Sequence, residues 1–241
     1  MAGSATYTAV LDACVLYSAP LRDVLLSLAS AGLFHARWTP DIQDEWTRNL
    51  LVKRPDLNLV QLQFTQERMI AAIPDCMVTH YQPLIAGLSL PDPDDRHVLV
   101  AAIAGHADAI VTVNLKDFPP AILATYSLEA QHPDDFVMNQ LELREYEALA
   151  AIKRMRARLS NPPRSPEEFV TTFEQHGSSL NPIRSMSAFS PLPRQPLHLD
   201  PDLPRYTQAQ SLRRLDCRIQ HQRRTQRKES CRFCVPLKAR R

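Results

Sequence analysis

Two short apolar runs most restrict the fold of this chain. One is Tyr7 to Leu11 in "TYTAVLDACVLYS", a β-prone stretch that ends in an acid; the other lies in "ADAIVTVN" and is apolar on both faces. A strand without polar alternation suits a sheet covered on two sides rather than one facing water. Helical spacing fills the intervals. "PLRDVLLSLASAGL" places apolar residues at 21, 24, 25, 28 and 29, with Gly32 as its stop. "FHARW" is extended and leads to Thr39 as N-cap and Pro40 at the first position of a helix through "DIQDEWTRNLLVKR", ended by Pro55. A second amphipathic helix follows in "DLNLVQLQFTQERMIAAI", and "CMVTHY" after Pro74 predicts another strand. A buried helix is expected from Asp94 to about Gly105, a last short strand in "SLEAQHPDDFVMNQL", and then one long charged helix to about Leu159. Strands alternating with helices predict an α/β fold with a central parallel sheet. No internal repeat interrupts the pattern.

Charge divides the chain. The net charge is +2, but residues 1–177 carry 14 Lys/Arg against 22 Asp/Glu, and residues 178–241 carry 14 against 4. The second segment holds no glycine, one valine and six prolines between Pro182 and Pro204. It sustains no helical or strand period before about Gln208, so composition predicts a basic, proline-rich, disordered tail, with a helical stretch around "QSLRRLDCRIQHQRR". Composition alone would also suit a shifted reading frame fused to a normal domain. Five cysteines without framework spacing argue against a secreted disulfide scaffold and for a reducing cytoplasm. The first residues show no basic segment followed by an apolar core, and the run from Val98 to Val113 is too short and too interrupted to span a bilayer. The expectation is a cytoplasmic protein with no membrane partner.

Ligands of open parallel sheets bind beyond the carboxyl ends of the strands. Asp12 follows the first apolar run and Asp117 follows "AIVTVN". Asp95 lies in the first turn of the helix feeding that second strand, and Glu45 sits three residues after apolar Ile42, near the inner side of its helix. Each acid taken singly has a plain structural reading. Asp94 suits an N-cap, Asp92 a turn before Pro93, and Asp95 gains from the helix dipole. Asp117 suits a cap on the turn opened by Pro119, Asp12 ordinary turn chemistry, and Glu45 a solvated helix face. Their joint placement at one sheet edge favours a site. Four carboxylates without histidine or cysteine suit a hard cation, Mg²⁺ or Mn²⁺, rather than zinc. Such an ion can acidify water and steady charge on a phosphoryl oxygen.

"VLDACVL", "DEWTRNL", "DPDDRHVLVAAI" and "AIVTVNLKDF", in that order and spacing, resemble the PIN domain, the fold of VapC-type toxin ribonucleases. The similarity covers about residues 5–130 and extends to about 177. It implies a PIN-like α/β/α sandwich with a nuclease domain at 1–130 and a C-terminal strand and helical extension at 131–177; the basic, proline-rich tail at 178–241, read from composition, is no part of that domain. The four acids of the family fall on Asp12, Glu45, Asp95 and Asp117, as metal ligands and catalytic groups. Thr112 and Asn114 fall in the short polar stretch that helps hold metal or phosphate. The implied activity is Mg²⁺- or Mn²⁺-dependent hydrolysis of RNA, with a small antitoxin as protein partner; a homo-oligomer is compatible with it. Cys14 stands where many members carry asparagine, a departure that bears on support of the first acid.

Arg48 and Arg96 lie near the expected site and suit RNA phosphates, or equally an ordinary surface. His97 is expected to point away from Asp95 in a structural or substrate-contact role. "CRFC" at 231–234, with Cys217 and His221, has loose spacing for zinc, and "RRTQRK" is a basic patch suited to non-specific nucleic-acid contact or to a solvated tail. The alternative function is a catalytically silent PIN-fold module that binds nucleic acid or protein; the presence of all four acids counts against it. A phosphatase forming an acyl-phosphate would need Asp-x-Asp after the first strand, where this chain reads Asp12-Ala13-Cys14.

Overall fold

The structure, a computed structural model, describes residues 7–158. The expected basic tail, "CRFC", "RRTQRK" and the end of the 131–177 extension lie outside the described residues. In chain order the elements are β1 (Thr8–Leu11), α1 (Ala13–Tyr17), α2 (Ala19–Ser30), β2 (His35–Arg37), α3 (Pro40–Lys53) and α4 (Leu59–Ala72). They continue with α5 (Arg96–Ala104), β3 (Ala109–Val111), α6 (Pro120–Leu123), β4 (Glu129–Gln131), α7 (Pro133–Leu143) and α8 (Glu145–Arg158). The four strands form one sheet in the order β2-β1-β3-β4, with every neighbouring pair parallel. This is the PIN-like α/β/α arrangement, and its strands carry all their carboxyl ends to one edge.

The central strands explain the two apolar runs. Ala9, Val10 and Leu11 of β1 and Ala109, Ile110 and Val111 of β3 are wholly buried, because helices cover both sheet faces. Register pairs Leu11 with Val111, so β1 and β3 end together. Asp12 N–H then donates to the Val111 carbonyl at 3.2 Å, extending the ladder by one residue and fixing where the Asp12 side chain begins.

Local chemistry sets the helix ends. Gly32 stops α2 at φ 76°, with Gly32 N–H donating to Ala29 O and Leu33 N–H to Leu28 O, a left-handed stop that glycine adopts without side-chain penalty. Thr39 Oγ1 accepts from Ile42 N–H at 3.2 Å and caps α3. Ile42 and Trp46 on the inner face of α3 are wholly buried against the core. Arg22 of α2 donates to the Leu16 carbonyl at 2.7 Å and lies 5.0 Å over the Trp46 ring, which ties the end of α1 to α3. Gln66 of α4 donates to Gln43 O and Thr47 Oγ1 and fastens α4 to the same helix.

Three expectations require correction. "CMVTHY" forms only a parallel bridge between Trp38 and Met77, with Trp38 N–H donating to Cys76 O and Val78 N–H to Trp38 O. Asp75 and His80 at positive φ bracket the segment and leave too little extended chain for a strand. The long charged helix is two helices: Arg144 (φ −143°, ψ 63°) breaks it, and α8 packs on both α7 and α2. The buried helix begins at Arg96 rather than Asp94, because Pro93–Asp95 form a 3₁₀ turn. Among the described residues no helix is long and apolar enough to cross a membrane.

Candidate active site at the carboxyl edge of the sheet

The turn before α5 assigns the three aspartates of "PDPDD" differently from the sequence expectation. Asp92 is the cap, its Oδ1 accepting from Asp94 N–H at 2.9 Å. Asp94 is exposed and makes no capping bond; its carbonyl accepts from His97 Nδ1 at 2.6 Å. Asp95 stands between them and α5, half-buried, with no side-chain cap bond of its own. Neither the Asp94 nor the Asp95 carboxylate is used by the local backbone, and of the two only Asp95 is half-buried.

Asp12 is the buried acid of the edge, 3% exposed. Its Oδ2 accepts from Thr112 Oγ1 at 2.6 Å and from Cys14 Sγ at 3.0 Å. Thr112 Oγ1 in turn accepts from Asn114 N–H at 2.9 Å, and Val113 N–H donates to Cys14 Sγ at 3.4 Å. Thr112 and the Asn114 backbone thus belong to the support of Asp12, as does Cys14. A thiol donor does here what a carboxamide at that position could do. Burial raises the Asp12 carboxyl above the usual range, the Cys14 and Thr112 bonds oppose that rise, and Glu45 adds to it. Burial also pushes the Cys14 thiol up, so it stays protonated and donates.

The electrostatics of Asp95 join the predicted acids. Its carboxyl is raised to about 6, first by burial and then by the charges of Asp12, Asp92, Asp117 and Glu45. Like charges on four separate segments therefore bear on one carboxylate. Asp117 ends the 3₁₀ turn Leu115–Asp117 and is half-buried, its N–H donating to Asn114 O at 3.0 Å. Glu45 projects from α3 towards α5, where its Oε2 lies 3.2 Å from His97 Nε2. Burial lowers the pKa of His97, but the contacts with Glu45 and Asp94 and the charge of Asp12 outweigh it, so the imidazole titrates above its ordinary value. Among the described residues no group of three or more His, Cys, Asp or Glu side chains is placed close enough to hold a metal ion as it stands. The donor set itself, carboxylate oxygens only, fits a hard divalent cation.

The two arginines are placed apart from this cluster. Arg48 is exposed one turn beyond Glu45 and lines a shallow groove with Thr47, Leu51 and Leu59. Arg96 Nε donates to the Pro93 carbonyl at 2.8 Å, which holds the turn beneath Asp95. Sequence reasoning missed the contact of His97 with Glu45 and the donor role of Cys14. Both are visible as polar residues at positions i+2 from a candidate acid, but neither partner can be named without the packing of α5 on α3 or the path of β3.

Residues 8–116 match the PIN domain family, and residues 133–178 match the VapC50 C-terminal domain. Over 90 residues the chain is 42% identical to "Putative ribonuclease VapC50" of Mycobacterium tuberculosis, covering 37% of this chain and 53% of that protein. The chain thus spans about half the length of that relative. No solved structure matches it. The parallel sheet and the two consecutive matches agree: residues 8–116 are a PIN domain, and residues 133–178 behind it are similar to the VapC50 C-terminal domain.

Proposed function

We propose that the protein is a metal-dependent endoribonuclease that hydrolyses RNA phosphodiester bonds, with Asp12, Glu45, Asp95 and Asp117 as the residues that hold Mg²⁺ or Mn²⁺. The observation that carries this reading is the half-buried Asp95 carboxyl raised to about 6 by burial and by Asp12, Asp92, Asp117 and Glu45. A structural role would give such a carboxylate a cationic partner or a backbone donor; a cation site leaves it free. When bound, the cation supplies Lewis acidity to a phosphoryl oxygen and a more acidic water.

The chain's own residues divide the remaining work. Asp12 is held in one orientation by Thr112 and Cys14, both of which donate to its Oδ2. Asp95, its carboxyl raised to about 6, would hold the cation in its deprotonated form. Asp117 and Glu45 close the acidic edge from the turn after β3 and from α3. Exposed Arg48 and Asn114 are available to phosphates of a bound RNA away from the acids themselves, and Arg96 keeps the Asp95 turn in place.

The same reading makes the protein the toxin of a pair, acting in the cytoplasm and neutralised by a small antitoxin, as VapC-type proteins are. The test is expression of the chain with and without the product of a neighbouring small gene. Growth arrest relieved by that product, and absent with Asp95→Asn, supports the reading. Unimpeded growth together with no cleavage of RNA by the purified protein in Mn²⁺ rejects it.

A further inference from the structure

His97 sits where the proposed site needs a support and where no family acid falls. Its ring bridges two elements: Nδ1 is 2.6 Å from the Asp94 carbonyl, in the turn that presents Asp95, and Nε2 is 3.2 Å from Glu45 Oε2 on α3. The ring is largely shielded, 17% exposed, and the Glu45 side chain is 29% exposed. A carbonyl oxygen can only accept, so Nδ1 carries a hydrogen; a carboxylate facing Nε2 requires a hydrogen there as well. The Nε2 atom is buried and has no aligned hydrogen bond, so its contact with Glu45 is an ion pair at close range rather than a well-formed bond. Asp12 has Thr112 and Cys14 to orient its carboxylate, and Glu45 has His97.

We infer that His97 is a positioning residue for the proposed cation site, fixing the Glu45 carboxylate of α3 against the Asp95 turn of α5 by bridging Glu45 to the Asp94 carbonyl. The inference rests on the ribonuclease reading for the identity of the site. A glutamate has several side-chain torsions to order, and a carboxylate already pinned at one oxygen offers the other to a cation at a smaller entropic cost. The two walls of the acidic edge come from helices far apart in sequence, and His97 is the side chain that links them at the level of the acids.

Positioning and charge make opposite predictions, and this separates them. An imidazolium beside the site repels an incoming cation, so if charge dominated, removing the ring would tighten cation binding. If orientation dominates, removal loosens it. The His97→Gln variant places an amide donor close to the Nε2 position without the charge.

The experiment measures Mn²⁺ affinity of the full chain by the loss of the free-ion paramagnetic resonance signal, for the native protein, His97→Ala, His97→Gln, Glu45→Gln and the double variant Glu45→Gln/His97→Ala. The expected result is that His97→Ala weakens Mn²⁺ binding about 10-fold, the scale of lost support to a ligand, while His97→Gln binds as tightly as the native protein or more so. In the Glu45→Gln background, His97→Ala should have no further effect, since the residue acts through Glu45. Melting in EDTA reports whether each variant folds, and His97→Gln keeps the test decisive if His97→Ala does not: a folded His97→Gln that loses affinity overturns the inference. Native affinity or tighter binding in His97→Ala overturns it too, as does an equal loss in both Glu45 backgrounds. If the native protein binds Mn²⁺ in an Asp95-dependent manner and His97→Ala is silent, the inference alone fails. If the native protein binds no Mn²⁺ and cleaves no RNA, the ribonuclease reading fails with it.

Discussion

Thr112 Oγ1 donates a 2.6 Å hydrogen bond to Asp12 Oδ2 across 100 positions of chain, and both residues are buried. The bond joins the carboxyl ends of the two central strands and satisfies a carboxylate that burial would otherwise leave unpaired in a low dielectric. Replacing Thr112 by valine keeps the volume and removes the donor. Thr112→Val is expected to cost about 1–3 kcal/mol of stability, the range for a buried group left under-satisfied. Urea unfolding in EDTA at neutral pH reads this directly; an unchanged midpoint would show that Cys14 alone satisfies Asp12.

The pH dependence of the metal-free protein follows from Asp95. Its folded-state carboxyl is raised to about 6 from 3.8, mainly by burial and then by neighbouring acids. Between those values the folded protein holds more protons than the unfolded chain, so stability falls as pH rises through this window. Asp12, also raised, acts in the same sense. Unfolding in EDTA from about pH 4 to about pH 7 should show that decline, and Asp95→Asn should flatten it. A stability that rises with pH through this window in the native protein would contradict the raised carboxyl.

Cation binding should reverse the repulsion among the acids. Asp12→Asn keeps the shape of the site and removes one charge, so in EDTA the variant is expected to be more stable than the native protein by about 1 kcal/mol, the scale of a one-unit shift. Excess Mg²⁺ should raise the melting temperature of the native protein and leave that of the variant nearly unchanged, by mass action on the folded state. Equal shifts in both proteins would place the ion elsewhere.

The alternation of apolar runs with helical spacing is enough to read the parallel sheet, because β1 and β3 are buried on both faces and show no polar positions in their inner residues. The acids at the strand ends are legible for the same reason: Asp12 and Asp117 come soon after those runs. Within "PDPDD" the sequence reading exchanges the parts of Asp92 and Asp94, since a 3₁₀ turn through Pro93 moves the cap two residues upstream of where an α-helical start would put it. The break at Arg144 leaves no trace, as neither glycine nor proline marks it. The loss of a strand at 76–81 depends on positive φ at Asp75 and His80, a conformation these two residue types adopt more readily than most but do not announce in the sequence. His97 and Glu45 are joined by the packing of α5 on α3, which no local pattern reports.

Gly105, at the end of α5 opposite Asp95, tests how tightly that helix packs on the segment after Pro74. A Cβ at this position would lie 2.8 Å from the Ala101 carbonyl oxygen and 3.0 Å from Val78 Cγ2. Gly105→Ala therefore strains the last turn of α5 against its own Ala101 carbonyl and crowds Val78, and should cost about 1–3 kcal/mol, as overpacking does. Thermal melting measures it, and an unchanged melting temperature would mean that the 76–78 segment yields without strain.

We propose that the folding unit ends near residue 177, where the VapC50 C-terminal match also ends, at 178. Beyond it the sequence turns basic and proline-rich and is poorer in apolar residues. A chain ending at Gly177 should keep the melting temperature of the full chain, and a large drop would contradict this boundary.

The central claim is that the acids at the carboxyl edge of the sheet carry metal-dependent RNA cleavage, and Asp95→Asn tests it most directly because it removes one carboxylate without changing volume. Single-turnover cleavage of a labelled RNA is followed for the native protein and for Asp95→Asn, each in Mn²⁺ and in EDTA, with melting curves confirming that both are folded. The account predicts cleavage by the native protein in Mn²⁺, none in EDTA, and none by folded Asp95→Asn in either. Cleavage that persists in EDTA, or that Asp95→Asn performs at the native rate, would contradict it.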